Sequence, residues 1–351
     1  MAAEGGKKII ILYILNILRK YTDVNHPMTQ QQIADQLRAD YDIEVNRATV
    51  KRNLTDLIDA GYDIGYTEVP RRQKVKGSDE KDDNTILTDF YYEHDFTESE
   101  LHMLIDGLLF SRSVPFKPRR DLIEKLGELS GSHFSRRMKH VHNMNADSPQ
   151  NPQLFYNIET LDMAIAEGKQ VEIAYGYYGT DLKLHPGLND DGSVKKQLLN
   201  PYQLVASEGR YYLICNNDKY SNVANNRIDR IMEIRLLDTD VKPKSRVEGL
   251  EDGLKLQDYV YQNVNMFAGK PEKVEFVIPK SAVSLVIDFF GKYVSFFERP
   301  DGKVSCNLTA SREAMRHWAS QFATVVRVVS PPELVEEVRE EIRKAAAYYD
   351  M

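Results

Sequence analysis

From Lys7 onward, apolar residues recur at a helical spacing. Ile9, Ile10, Leu12, Tyr13, Ile14, Leu15, Ile17 and Leu18 make one broad face, and Arg19-Lys20 suit the negative end of a helix dipole. A loop through Asn25-His26-Pro27 follows. Thr29-Gln-Gln-Gln32 then has the spacing of a capping box, with Ile33, Ala34 and Leu37 as the stripe of a second helix. Asn46 is a good N-cap for a third, with Val50, Leu54, Leu57 and Ile58 inward and Gly61 at its end. Ile64 to Val69 and Thr85 to Tyr92 have strand character, and the charged residues between them predict a hairpin with a long polar tip. Thr97 and Glu100 form a second capping box. Helical patterning then runs to about Val141, broken near Pro115 and Pro118. Asn143 to Gln153, rich in Asn, Pro, Ser and Asp, predicts an exposed linker.

After one helix at Ile158 to Glu167, the period changes to that of strands. Candidates are Gln170 to Tyr175, Lys195 to Leu204, Arg210 to Cys215, Ser221 to Arg227 and Arg230 to Leu237. Short strands so closely spaced predict a small barrel. A polar connection, Lys242 to Gly253, leads to strands at Lys273 to Ile278, Val294 to Glu298, Lys303 to Leu308 and Thr324 to Ser330. Helices alternate with them at Ala282 to Phe290, Ser311 to Gln321 and Pro332 to Tyr349. That is an α+β module of ferredoxin-like size. The expected architecture is multidomain α+β: a head of three helices and a hairpin at 1–95, a helical linker at 96–148, a β-rich domain at 149–242 and the α+β module at 255–351.

The length of 351 residues fits two or three domains at about 100–200 residues each. The net charge of −7 excludes a uniformly basic coat protein but permits a local basic patch. Cys215 and Cys306 cannot build a disulfide framework, nor alone a zinc site. The longest apolar stretch, Ile9 to Leu18, is interrupted by Asn16; it is too short to span a bilayer and lacks a signal-peptide cleavage site. The expectation is a cytoplasmic protein with no membrane partner. No Walker A loop, G-x-S-x-G, H-E-x-x-H or C-x-x-C is present, so no catalytic residue, cofactor or metal is assigned. His133, His140 and His142 lack the carboxylate or cysteine that would complete a metal's ligand set. An enzyme with an unfamiliar site remains an alternative.

The first candidate chemistry lies in the N-terminal helices. Asn46-Arg47-Ala48-Thr49-Val50-Lys51-Arg52-Asn53 opens the second helix of a helix-turn-helix, whose N-terminal residues would reach base edges in a major groove. Arg pairs with guanine and Asn with adenine, while Thr and Lys suit phosphate. Candidate DNA contacts are Thr29, Asn46, Arg47, Thr49, Lys51, Arg52 and Asn53. Arg71 and Arg72, with Lys74 and Lys76, would form a wing beside the duplex. The competing reading is a solvated helix in a generic three-helix module. A further basic region, Arg112 to Lys139, holds eight basic and three acidic residues and reads as a solvated face.

The second lies in the β-rich region. Asn200-Pro201-Tyr202, then Gly209-Arg210-Tyr211-Tyr212-Leu213, then Arg227-Ile228-Asp229-Arg230-Ile231 resemble the WYL domain, and Val171 to Tyr175 resembles its first strand. Trp318, Phe322 and Pro331-Pro332-Glu333-Leu334 resemble the family's C-terminal extension, WCX. The resemblance covers almost the whole chain and implies a winged helix-turn-helix, an Sm- or SH3-like small barrel and a WCX module that assists dimerisation or gating. It also implies a site for a small or oligonucleotide ligand. Tyr211 stands where the family has Trp, offering less stacking area and no indole N–H. The residues suit the role. Arg227 and Arg230 place two guanidinium forks around Asp229, and such forks clamp phosphate. Tyr175, Arg210, Tyr211 and Tyr212 complete the candidate ligand set, with strand parity sending one of Tyr211 and Tyr212 into the core. A lone Trp318 at helical spacing reads as core packing. The expected function is a ligand-responsive bacterial regulator of transcription. It would act as a homodimer on a double-stranded operator and respond to single-stranded nucleic acid or a nucleotide. The alternatives are a structural Arg227–Asp229 pair, and an accessory module of phage defence whose output is single-strand binding.

Overall fold

The computed structural model describes residues 5–74, 81–137 and 151–350, with side chains described for 9–70, 85–134 and 151–350. Two compact units emerge, Met1–Phe110 with Phe116–Ala146, and Ser111–Pro115 with Asp147–Met351.

The first unit opens with α1 (Gly5–Tyr21), α2 (Gln30–Tyr41) and α3 (Arg47–Asp59). Thr29 caps α2 through the reciprocal box with Gln32, and Asn46 Oδ1 accepts from the Thr49 N–H at 2.9 Å to start α3. The chain turns between α2 and α3 through Asp42 in the left-handed region at φ 54°. Ile14, Leu18, Ile33, Leu37, Val50, Leu54 and Phe90 form the buried centre of this unit. The hairpin β1 (Ile64–Lys74) and β2 (Lys81–Tyr92) follows. Its strands run further than the polar tip suggested, pairing Arg71 with Asn84 and Arg72 with Asp83. Then come α4 (Glu98–Phe110), α5 (Phe116–Glu128) and α6 (Ser132–Arg137), packed around Leu101, Ile105 and Phe134. The Thr97–Glu100 capping box forms. The helical break falls before Phe116. Pro118 sits in the first turn of α5, where its missing N–H costs nothing.

The second unit begins with α7 (Leu154–Glu167), which starts four residues earlier than the periodicity indicated. The Asn-rich stretch before it is not simply exposed. Asn151 is buried, donates to the Ile231 carbonyl at 2.6 Å and accepts from the Gln153 N–H; residues 143–150 of the expected linker lie outside the described residues. Strands β3 (Lys169–Tyr178), β4 (Leu184–Pro186), β5 (Lys196–Ser207), β6 (Arg210–Asn217), β7 (Val223–Arg227) and β8 (Ile231–Asp240) form one sheet. Its order is β4-β3-β5-β6-β7, and β8 pairs with β3. Strand β4 carried no strand signal in the sequence. A 3₁₀ turn, Ile228–Arg230, takes the place of the expected start of the last strand. Leu161, Val171, Ile173, Leu199, Leu213, Cys215 and Ile231 fill one side of the sheet. Tyr202, Tyr212, Ile214 and Val223 lie on the other, covered by the segment that holds Val247, Leu250 and α8 (Leu256–Gln262).

The C-terminal part has β9 (Pro271–Pro279), α9 (Val283–Phe290), β10 (Ser295–Glu298), β11 (Lys303–Ser311), α10 (Arg312–Gln321), β12 (Arg327–Ser330) and α11 (Pro332–Tyr348). All pairings are antiparallel, in the order β10-β11-β9-β12. Trp318, Phe276 and Phe290 lie at the centre of its core.

Candidate functional site

On α3, the buried stripe Val50, Leu54 and Leu57 fixes which residues face solvent. Arg47, Lys51 and Arg52 are exposed, with no carboxylate between Val45 and Thr55. Arg47 Nε donates to Gln31 Oε1 of α2 at 2.7 Å, which tethers its stem. Asn53 is not on this face. It is buried, and its Nδ2 donates to the Thr49 carbonyl at 2.7 Å. Thr29 and Asn46 serve as N-caps, and Thr49 is half-buried. Arg71 and Arg72 lie on β1 by backbone, while their side chains, with Lys74, Lys76, His140 and His142, lie outside the described residues.

In the second unit, β6, β7 and the 3₁₀ turn bring charged side chains together. Register sets Tyr212 opposite Arg227, which draws Arg210 toward Asp229 two residues further on. Asp229 is the centre. Its Oδ1 accepts from Arg227 Nε at 3.0 Å and its Oδ2 from Arg227 Nη2 at 2.6 Å, a two-point fork. Arg210 Nη1 approaches Oδ2 at 3.5 Å. The carboxylate side chain is only 6% exposed, whereas those of Arg210 and Arg227 are 27% and 18% exposed. The acid is therefore sunk beneath guanidinium groups that reach water. Arg230 is half-buried, and its buried Nε has no hydrogen-bond partner among the described residues. Two guanidinium groups, those of Arg227 and Arg210, against one carboxylate leave the cluster cationic, and the second cation at Asp229 is Arg210 rather than the expected Arg230.

Electrostatics agree with the geometry. Burial, then the neighbouring Arg227, and more weakly Arg112, hold the Arg210 guanidinium below its usual range. Burial also pulls on Arg227, but the fork on Asp229 outweighs it and the net shift is upward. Tyr175 Oη accepts from the Arg227 backbone N–H at 3.1 Å, and burial pushes this phenol up to about 12. Tyr212 is raised by burial beneath the segment that covers β6.

Tyr175 thus holds the backbone at Arg227, and Tyr212 is buried in the core under the covering segment, so neither offers an open ring face. Tyr211 is half-buried, packs on the Leu213 side of the sheet, and donates its N–H to Ser113 Oγ at 3.3 Å. The tyrosines of β6 are therefore both packed, one on each face. Two residues escaped the sequence reading. Tyr178 is half-buried and lies within the fields of Asp229, Arg227, Arg230 and Arg210. Arg112 is exposed, and its backbone N–H donates to the Gly209 carbonyl at 2.6 Å, at the start of β6. The only sequence signal for Tyr178 was the aromatic run at Tyr175, Tyr177 and Tyr178; Arg112 was placed in the basic region Arg112 to Lys139, read as a solvated face, and not in this site.

Tyr175 supplies a pH test. The native phenol keeps its proton to about pH 12, while in the unfolded chain it titrates near its ordinary value of 10. Between those limits the native state holds more protons, so stability falls as pH rises. Tyr175→Phe is expected to flatten part of that fall, read as urea midpoints across the window. An unaltered slope would exclude Tyr175 as a contributor.

Residues 156–236 match the WYL domain family and residues 270–346 match the WCX domain family. The chain is a WYL-domain protein. The charged cluster lies wholly inside the matched WYL domain, and Trp318 inside the WCX domain. No curated protein matches the chain. Among solved structures, proteasome accessory factor B/C (PafBC) of Arthrobacter aurescens is 16% identical over 97% of this chain and 49% of its own, with a TM-score of 0.27. The chain thus spans about half the length of that protein. A CRISPR Cas-related protein is 13% identical over the full chain and 87% of its own length, with a TM-score of 0.35. No helix among the described residues is long and apolar enough to cross a membrane.

Proposed function

We propose that this WYL-domain protein is a ligand-responsive, DNA-binding regulator of transcription without enzymatic activity. The three helices and hairpin of the first unit act as a winged helix-turn-helix, with α3 as the helix that enters the major groove. The observation that carries this reading is the exposed cationic face of Arg47, Lys51 and Arg52, held over the buried stripe Val50, Leu54 and Leu57. The WYL domain senses a phosphorylated ligand, a nucleotide or a short single strand, through Arg210, Arg227 and Arg230. The β8-β3-β5-β6-β7 sheet supports an Sm- or SH3-like barrel. The β-α-β-β-α-β order of the WCX domain, with its β10-β11-β9-β12 sheet, supports a ferredoxin-like fold. A homodimer would present two reading heads to a palindromic operator.

Fluorescence anisotropy tests the proposal. The protein is titrated onto the duplex upstream of its own gene and onto a short 5′-phosphorylated single strand, each with and without the other. Tight duplex binding that the single strand changes supports the regulator. Single-strand binding with no specific duplex site would favour an accessory role in phage defence. Arg52→Ala is expected to weaken duplex binding about tenfold and to lower the salt slope by about one phosphate contact, with no loss of fold. Unchanged affinity at moderate salt would remove Arg52 from the interface.

A further inference from the structure

Strand β7 carries a second set of contacts on the face that carries Arg227. Asn225 stands two residues before Arg227, so the two side chains leave the strand on the same side. That side also holds Tyr212 and Ile214, opposite Arg227 and Asn225 in register. Asn225 uses both ends of its amide there. Its Oδ1 accepts from Tyr259 Oη of α8 at 2.9 Å, and its Nδ2 donates to the Met266 carbonyl at 3.0 Å.

The turn it grips is strained. Asn265 and Met266 lie consecutively in the left-handed region, at φ 55° and 59°. Asn tolerates this conformation, whereas for Met it costs about 1–2 kcal/mol, so its surroundings must hold it. The Met266 side chain is buried beside Tyr212 and Ile214. The next residue meets the WCX domain. The Phe267 carbonyl accepts from Ser311 Oγ at 3.2 Å, and the Phe267 ring stacks on His317 at 4.1 Å. Ser311 is the N-cap of α10, the helix that carries Trp318.

We propose that Asn225 is the positioning residue that passes the state of the Arg210–Arg227–Asp229 cluster to the WCX domain. It does so by holding the left-handed turn at Asn265–Met266 from the strand that ends in Arg227. The proposal deepens the sensing role proposed above and takes its biological meaning from it. The mechanical link itself needs no ligand. A change that moves Arg227 on Asp229 shifts the end of β7, and the two hydrogen bonds of Asn225 carry that shift to Tyr259 and Met266. Phe267 then bears on the start of α10. Two discrete arrangements of one turn, both biased by the cluster, are what such coupling requires.

Amide hydrogen exchange on the full chain tests the link as a double-mutant cycle. Arg227→Lys keeps the charge but breaks the fork. It is expected to speed exchange at residues 264–269 and 311–314 about fivefold in the native background and less than twofold beside Asn225→Asp. Equal effects of Arg227→Lys in the two backgrounds, or an effect confined to β7, would overturn the proposal. If Asn225→Asp does not fold, Tyr259→Phe, which removes only the hydroxyl that Asn225 accepts from, provides the second background. Titration of the 5′-phosphorylated single strand in the same experiment separates the two readings. A coupled cycle with no strand binding sinks the sensing role and leaves the link standing; strand binding with an uncoupled cycle does the reverse.

Discussion

Trp318→Ala is expected to destabilise the WCX domain by about 4 kcal/mol, as a large aromatic removed from a closed core does. Trp318 is fully buried. Its ring centroid lies 4.9 Å from that of Phe290, 5.3 Å from Phe276, 5.5 Å from Phe322 and 5.9 Å from Phe289. The angles between rings run from 54° to 78°, so edges meet faces and each pair adds to the buried area. Four aromatic rings fixed by a sheet and three helices cannot collapse into the void. Trp318→Phe is expected to cost far less, about 1 kcal/mol, for a reason visible in the structure. Among the described residues the buried indole N–H has no hydrogen-bond partner, so phenylalanine removes an uncompensated desolvation along with some volume. Urea unfolding followed by far-ultraviolet circular dichroism gives both numbers. A loss under about 2 kcal/mol for the alanine variant would mean that the core relaxes around the gap.

Trp318 was legible as core because helical spacing places it with Ala314, Met315 and Phe322. Local signals of this kind were readable throughout. The two capping boxes and the Asn46 cap are each encoded within four residues, and each forms. The Arg227–Asp229 fork was equally near the surface of the sequence, since its partners are two residues apart. What could not be read depends on register or on distant chain. Arg210 reaches Asp229 only because β6 and β7 pair Tyr212 with Arg227. Tyr178 has the opposite parity to Tyr175 along β3, and it lies where the strand has left β8 and pairs with β4, a strand the sequence did not signal. Arg112 comes from a segment almost a hundred residues upstream. Asn53 is a different case. Its spacing of three from Val50 puts it on the buried stripe, and its polar side chain drew the reading outward. The helix instead satisfies that amide with its own Thr49 carbonyl. The aromatic surface of the cluster shifts for the same reason. Strand pairing buries Tyr212 and half-buries Tyr211, leaving Tyr178 within the fields of the cluster's charges.

Asp229→Ala is expected to lower stability by about 4 kcal/mol and at the same time to strengthen phosphate binding. The two effects have one cause. Removing one partner of a buried ion pair leaves the other uncompensated, which typically costs about 3–5 kcal/mol. Here Arg227 loses both of its 3.0 and 2.6 Å hydrogen bonds, and Arg210 loses its nearest opposite charge. The guanidinium groups then face one another with no anion between them, and an added phosphate meets forks that no longer have to leave a carboxylate. Ligand binding to the native state alone raises stability with concentration, so the variant should recover more stability in inorganic phosphate than the wild-type chain does. Asp229→Asn separates charge from shape, because the amide fills the same space and keeps one acceptor for Arg227. It should fall between the two in stability while showing most of the gain in phosphate response. Thermal unfolding of the three proteins across a phosphate series reads both quantities at once. A destabilised variant with no enhanced phosphate response would mean that the fork on Asp229 is a structural clasp alone. In that case Arg210 and Arg227 would not form the sensing surface proposed for the WYL domain.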